Sequence, residues 1–141
     1  MAFAAGTTSF VLLDNTAGSL TNLSAYADNF QWPQSVAQLD VSAFGTAAKA
    51  LIPGLTDGDT VTMSGPLDAT LHTHLTALKA AQSAGSTTCT ITWGPAGSIA
   101  TRPKVSAEAY VASYGITVGV GGRVEYTASL QVTGAVTNSV W

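Results

Sequence analysis

Hydrophobic and polar residues alternate with a period of two along most of the chain, which is the pattern of β-strands. In the clearest case, residues 121–133, one face carries apolar side chains: Val124, Tyr126, Ala128, Leu130 and Val132. Residues 104–118 alternate in the same way and are expected to pair with them. Between the two lies Gly119–Gly122 (GVGG), which supplies the positive φ angles of a tight turn. We therefore expect a long β-hairpin at this end of the chain.

The two faces of the predicted strand 104–118 differ in chemistry. One face carries Val105, Ala107, Ala109 and Val111. The opposite face carries Glu108, Tyr110, Tyr114, Ile116 and Val118. Gly115 interrupts the alternation and is a candidate β-bulge.

Five further stretches are predicted to be strands, which gives about seven strands in all. They are Ser9–Leu13, Leu20–Tyr26, 36–44, 59–67 and 86–93. One segment instead has helical periodicity, because leucines follow the N-cap candidate Asp68 at helical spacing and Gly85 stands where a helix would end. We expect one α-helix at about 69–83.

The remaining segments are predicted to make contacts outside the domain. Residues 45–58 are interpreted as a long connection whose apolar residues, Leu51, Ile52 and Leu55, need a partner surface. Residues 1–8 have the composition of an N-terminal arm, whose Phe3 buries too little area to order the arm on its own subunit. The length of 141 residues predicts a single domain, 1–141.

Composition narrows the class of protein. Only 9% of the residues are charged and the net charge is −3, so the chain has no basic surface for nucleic acid. Its content of β-branched and aromatic residues argues against disorder. The single cysteine, Cys89, excludes an intrachain disulfide framework. No apolar run reaches the roughly 18 residues of a membrane helix, so no membrane partner is expected.

The residues that usually carry catalysis are scattered. His72 and His74 are two residues apart, whereas a helical metal pair needs a spacing of four. Cys89 shares a strand face with Ile91 and is expected to be a buried, inert thiol. The glycine-rich segment 115–122 joins two strands and so offers no helix N-terminus to a phosphate. We expect a protein that is not an enzyme, with no catalytic, cofactor-binding or metal-binding residues.

Three stretches together resemble a known family. They are Leu12–Tyr26 (LLDNTAGSLTNLSAY), Ala43–Gly65 (AFGTAAKALIPGLTDGDTVTMSG) and Trp93–Val136, which contains a GPAGS turn and ends in LQVTGAV. In order and spacing these motifs resemble the small major tail proteins, or tail tube proteins, of long-tailed bacteriophages, especially those of actinobacterial hosts. The sequence YTASL at 126–130 departs from the more aromatic strand of that family.

The resemblance implies a mainly β fold, an antiparallel β-sandwich or rolled barrel with one flanking helix. It implies rings of six subunits, stacked into the tube through which the genome is ejected, with residues 1–8 and 45–58 between rings. The expected intersubunit contacts are Phe3, Phe44, Leu51, Ile52, Leu55 and Trp141. Expected partners are further copies of the chain, the tape measure, terminator and distal tail proteins, and passing DNA without specific binding. The expected location is the virion tail, assembled in the host cytoplasm.

Two alternatives remain open at this point. A capsid decoration protein would also be small, rich in β-structure and poor in charge. A carbohydrate-binding β-sandwich is the other, since Tyr110 and Tyr114 on one strand face could form a sugar platform, although packing explains them more simply. If the chain forms a tube, its lumen is expected to avoid Lys49, Lys79, Arg102 and Lys104. Two polar strand faces are the candidates, Thr60/Thr62/Ser64 and Arg123/Glu125/Thr127/Ser129/Gln131.

Overall fold

A computed structural model describes residues 9–45, 47–85 and 88–141. The described residues form nine strands, one α-helix and a short 3-10 turn at Ser24–Tyr26. The strands are β1 (Phe10–Asp14), β2 (Leu20–Asn22), β3 (Asn29–Gln31), β4 (Ser35–Asp40), β5 (Leu51–Asp57), β6 (Thr60–Pro66), β7 (Cys89–Gly94), β8 (Pro103–Thr117) and β9 (Glu125–Val140), and the helix is α1 (Ala69–Ser83). Seven strands make one antiparallel sheet in the order β2-β1-β7-β8-β9-β6-β3, and β4 pairs with β5 separately.

The sheet rolls around one hydrophobic core. The rings of Phe30 on β3 and Trp93 on β7 lie 4.8 Å apart, although three strands separate β3 from β7 in the sheet. The Tyr126 hydroxyl on β9 also donates to the carbonyl oxygen of Tyr26 at 2.7 Å, which closes the roll beside β3. These contacts confirm the expectation of a mainly β, rolled antiparallel fold with one helix.

The long hairpin of β8 and β9 is confirmed. The Gly122 N–H donates to the Gly119 carbonyl oxygen at 3.0 Å, and Gly121 has a φ of 77°, as the glycine-rich turn requires. The predicted inner face of β9 is buried at Tyr126, Ala128, Leu130 and Val132, whereas Val124, predicted on the same face, lies before the strand and is exposed. Of the two faces of β8, the one that carries Val105, Ala107, Ala109 and Val111 is buried.

The predicted bulge at Gly115 is wrong, because Gly115 pairs in regular register with Thr127. The ladder shifts instead between Ser106 and Glu108, where the extra residues on β9 include Gly134 at a φ of 81°, and again between Val111 and Ser113. Because of the second shift, alternate residues of β8 after Val111 lie on the opposite face of the sheet from those before it. Tyr110 lies opposite Gln131, whereas Tyr114 lies opposite the buried Ala128. The two tyrosines therefore do not share a strand face.

Helix α1 has the predicted bounds. The Asp68 side chain caps it by accepting from the Thr70 N–H at 2.8 Å. Leu71, Leu75 and Leu78 are buried against the sheet, as their spacing predicts. Gly85 has a φ of 86°, which places it in the left-handed conformation common after a helix end.

The strand 20–26 was predicted too long. The Asn22 side-chain oxygen accepts from the Ser24 N–H at 2.9 Å, and this local bond ends β2 after Asn22. The Ser24 hydroxyl then accepts from the Val11 N–H at 2.9 Å, which ties the 3-10 turn to β1. The three-residue β3, which pairs with β6, is too short to show a periodicity in the sequence.

The prediction that 45–58 is a connection is also wrong for its second half. Residues Leu51–Asp57 form β5, which pairs with β4. Pro53 and Gly54 resemble a turn in the sequence, but proline is tolerated in edge strands and at bulges, and the ladder shifts between Val36 and Gln38. The predicted strand 36–44 ends early, because the Asp40 carboxylate accepts from the Ser42 N–H at 2.9 Å.

Candidate assembly surface

The β4–β5 hairpin with its connection, residues 35–57, stands apart from the rolled sheet and is called the hairpin arm. Every described side chain from Pro33 to Pro53 is exposed, in contrast to the alternating burial of β1, β6 and β9. A two-stranded hairpin is marginally stable by itself in water. The arm is therefore the part of the described chain that most needs a partner surface.

The base of the arm is fixed to the body. The amide of Gln34 donates to the Asn138 side-chain oxygen at 3.1 Å, and the Asn138 amide donates back at 3.0 Å. The Trp32 indole N–H donates to the Gly58 carbonyl oxygen at 3.2 Å. Gly58 packs so closely on β9 that an added Cβ would lie 2.3 Å from Cγ1 of Val132. These contacts hold the base while the strands project.

Four of the predicted intersubunit contacts lie on this arm and are exposed. Their exposed fractions are 110% for Phe44, 44% for Leu51, 46% for Ile52 and 87% for Leu55. Sequence reasoning missed three further exposed apolar residues on β4 and its extension: Val36, Leu39 and Val41. Leu39 and Val41 are part of the alternation in 36–44, which predicts a strand but does not indicate whether either of its faces is buried.

The other two predicted contacts differ from these four. Phe3, with the whole predicted arm 1–8, lies outside the described residues. Trp141 is partly buried within its own chain: its ring stands edge-on to Phe10 at 5.7 Å between centroids, and Lys104 Nζ lies 4.7 Å from the ring centre. Its backbone N–H donates to Arg102 at 3.1 Å. An intersubunit role for Trp141 stays a prediction.

The structure places the two polar strand faces side by side. Thr60 lies opposite Gln131, Thr62 opposite Ser129, and Ser64 opposite Thr127. Directly paired residues share a face of the sheet, so β6 and β9 present one continuous polar surface opposite the core. The Thr60 hydroxyl donates to Gln131 at 3.0 Å within it. We call these six residues the hydroxyl face.

The charged groups next to the hydroxyl face are few and are hydrogen-bonded. The Glu108 carboxylate on β8 accepts from the hydroxyls of Thr88 and Thr90. Arg123 pairs with Glu125 at 2.6 Å and with Asp28. The remaining basic residues lie elsewhere: Lys49 in the hairpin arm, Lys79 on α1, and Arg102 and Lys104 around the start of β8.

His72, His74 and Cys89 each contact a group of their own chain. Burial lowers the pKa of His74, whose Nε2–H donates to the Asp14 carbonyl oxygen at 2.8 Å, while His72 Nδ1 lies 2.8 Å from the Tyr114 hydroxyl. Burial raises the pKa of the Cys89 thiol to about 11, which keeps it protonated, as expected of an inert core thiol.

The described residues contain neither a metal-binding cluster nor a membrane-spanning helix. They contain no group of three or more His, Cys, Asp or Glu side chains placed to hold a metal ion. Within the same residues, no helix has both the length and the apolarity needed to cross a membrane.

Comparison of the whole structure with solved structures gives matches over nearly the entire chain. A chain from the tail of an empty gene transfer agent particle, refined with C6 symmetry, matches with a TM-score of 0.77 and 13% identity, over 97% of this chain and 99% of that one. A subunit of the SPP1 tail tube matches with a TM-score of 0.71 and 18% identity, over 99% of this chain and 80% of that one.

The chain has the tail tube fold. A chain from the sheath–tube complex of an extracellular contractile injection system extends the likeness, with a TM-score of 0.69 and 10% identity, over 99% of this chain and 93% of that one. No protein-family model and no curated protein sequence matches the chain. The tail tube fold that the sequence motifs implied is thus confirmed in structure, at identities of 18% and below for these three chains.

Proposed function

We propose that this chain is the major tail subunit of a long-tailed phage or phage-like particle and assembles into a hollow tube. The observation that carries the proposal is the hairpin arm, an exposed and apolar element on a domain whose fold is that of tail tubes. Rings of six are the proposed unit, supported by the C6 symmetry of the gene transfer agent tail.

The hairpin arm is the proposed contact with neighbouring copies, together with residues 1–8. Leu51 and Ile52 are nearly half exposed in the isolated subunit. Fully burying one such side chain contributes about 1.5–3 kcal/mol, so a few of them per subunit, repeated around a ring, stabilise an assembly. With only 9% charged residues, the chain meets little charge repulsion when copies pack together.

The hydroxyl face is the proposed lining of the lumen. Its six residues are all uncharged, so DNA could pass over it without ionic attachment. Lys49 and Lys79 belong to other elements, and Arg102 and Lys104 lie at the end of β8 that pairs with Ser139 and Val140, away from these six residues. Passing DNA is therefore a transient partner that is not specifically bound.

The subunit is structural, with no catalytic step, and acts in the virion tail after assembly in the host cytoplasm. Its other proposed partners are tape measure, terminator and distal tail proteins. These follow from the tail tube fold and from the resemblance of the sequence motifs.

Electron microscopy of the purified chain at rising concentration tests the proposal. Rings and tubes are the expected result. The double variant Leu51→Asp/Ile52→Asp should remain folded by circular dichroism but form no tubes, while the matched control Leu51→Val/Ile52→Val should assemble. Uniform trimers would favour a decoration protein instead, and persistent monomers a carbohydrate-binding module. Normal tubes from the aspartate double variant would show that the arm is not the contact.

A further inference from the structure

Cross-strand pairing divides the side chains of the hairpin arm between two faces. Leu39 lies opposite Ile52, and Asp40 lies opposite Leu51. Opposed residues in an antiparallel pair point to the same side, and successive residues of a strand point to opposite sides. Leu39 and Ile52 therefore share one face of the arm, while Asp40 and Leu51 share the other.

The two faces differ in chemistry. The first continues to the end of the hairpin, where the Val41 N–H donates to the Ala50 carbonyl oxygen at 3.0 Å. All of its side chains beyond the bulge are hydrocarbon, and we call it the apolar face: Leu39, Val41, Ala50 and Ile52. The second, called the mixed face, sets two apolar residues beside two polar ones: Leu51, Pro53, Gln38 and Asp40. The Asp40 carboxylate lies 3.9 Å from Lys49 Nζ, so this pair carries no net charge.

Beyond its base, the arm leaves large apolar side chains exposed on both faces. Leu39 on the apolar face is 52% exposed, and Leu51 on the mixed face is 44% exposed. Hairpins in antiparallel sheets commonly cover one face and leave a polar face in water. An arm with exposed leucines on both faces needs a covering surface on each side.

We propose that each hairpin arm is held between two neighbouring copies of the chain, one covering the apolar face and the other the mixed face. The inference rests on the proposed function, because it takes both neighbours to be further copies. The chain itself offers matching surface away from the arm, in exposed apolar residues of the body: Leu20, Ile99, Ile116, Val118, Val120 and Val140.

The difference between the faces also sets the kind of contact. A surface of hydrocarbon alone and a surface with a carboxylate and an amide fit different complements, so the two neighbours present different regions to the arm. Such contacts are heterologous, and heterologous contacts propagate into rings or open stacks rather than closing as a two-fold dimer. Each arm therefore links three copies.

Photo-crosslinking from each face tests the inference directly. A photo-reactive phenylalanine derivative would replace Leu39 in one variant and Leu51 in another. Isotope-labelled and unlabelled subunits are mixed and allowed to assemble. The expected result is isotope-mixed crosslinks from both positions, to two different segments of the chain. Crosslinks from both positions to one segment, or crosslinks from either position only within a single chain, would overturn the inference.

Single substitutions supply a second test. Ile52→Asp on the apolar face and Leu51→Asp on the mixed face should each raise the concentration needed for tubes at least tenfold and leave thermal unfolding of the monomer unchanged. In sedimentation the two variants should stop at different intermediates, since each keeps one contact. Ile52→Val and Leu51→Val are the controls, and either aspartate variant assembling like its control would contradict the two-sided contact.

The outcomes separate this inference from the proposed function. If isotope-mixed crosslinks to two segments arise in discrete oligomers that never form tubes, the tube subunit proposal fails and the two-sided arm stands. If tubes form and only one face crosslinks to a neighbour, the function stands and the two-sided arm fails.

Discussion

Gln34 and Asn138 exchange two side-chain hydrogen bonds, of 3.1 and 3.0 Å, across 104 positions of sequence. Gln34 directly precedes β4, and Asn138 lies near the end of β9. The pair therefore joins the base of the hairpin arm to the longest strand of the rolled sheet. Beside it lies a cleft of about 180 Å³ lined in part by Val36, Asp57 and Val136.

Asn138→Ala should loosen the direction of the arm more than it destabilises the fold. Both side chains are exposed, so losing the pair should lower the free energy of unfolding by about 1 kcal/mol or less. Tube formation should shift to higher concentration, because a less oriented arm loses more entropy on docking. Light scattering against concentration measures the shift. Ser139→Ala, one residue away and also exposed, should behave as the parent chain does.

Gly58→Ala should destabilise the folded subunit. An added Cβ would lie 2.3 Å from Cγ1 of Val132 and 2.9 Å from Cγ2 of Val136, in a position that is buried. Overpacking of this kind costs typically about 1–3 kcal/mol. Urea unfolding followed by tryptophan fluorescence gives the value. Gly115→Ala is the matched control, since no atom lies within 4 Å of its added Cβ and its φ is not positive. Equal midpoints for the two variants would mean that the base of the arm is not tightly packed.

The elements that could be predicted from the sequence are those whose pattern and burial agree. Helix α1 and the β8–β9 hairpin have leucines or alternating apolar residues on the face that the structure buries, so periodicity located them. The β5 strand was missed because its pattern has no buried face to mark it and because Pro53 and Gly54 resemble a turn. A strand with apolar residues on both exposed faces needs a covering surface outside its own subunit. The sequence of one chain does not show where that surface lies.

The candidate assembly surface, like strand β5, could be predicted only in part. Leu51, Ile52 and Leu55 stand out as apolar residues in a predicted connection, whereas Phe44 is implied only by the family resemblance, and all four are exposed. The separation of Tyr110 from Tyr114 could not be predicted, because the register shift between Val111 and Ser113 depends on pairing with β9. That separation also removes the two-tyrosine sugar platform, and with it the sequence argument for a carbohydrate-binding module.

The Cys89 thiol should make stability depend on pH in alkaline solution. Burial, with a smaller contribution from the charge of Asp14, raises its pKa from 9.0 to about 11 in the folded chain. Below pH 9 the thiol is protonated in both the folded and the unfolded chain, so its full contribution to the free energy of unfolding is present. Between about pH 9 and 11 the unfolded chain loses the proton first, so the free energy of unfolding falls as the pH rises. Cys89→Ala should show a flatter decline over that range in urea titrations. An identical slope in both proteins would contradict the buried, protonated thiol.

The hydroxyl face should be accessible only from inside an assembled tube. Thr62→Cys and, as the outer control, Thr73→Cys on α1 would be made in the Cys89→Ala background and labelled with biotin before assembly. Streptavidin is expected along the wall of the Thr73 tubes and only at the ends of the Thr62 tubes in electron micrographs. Streptavidin along the wall at Thr62 would place β6 and β9 on the outside and reverse the proposed lumen.

Hydrogen exchange should distinguish the hairpin arm from the body and show what assembly adds. In the dilute subunit, amides of Leu51–Asp57 on β5 should exchange much faster than those of Thr60–Pro66 on β6. The reason is that β6 lies between β9 and β3 over a buried face, whereas β5 pairs with β4 alone and its described side chains are mostly exposed. In the polymer, covering the arm should slow β5 exchange strongly and leave β6 nearly unchanged. Slow exchange of β5 already in the dilute subunit would show that the arm is stable without neighbours, and the need for a partner surface would then have no physical basis.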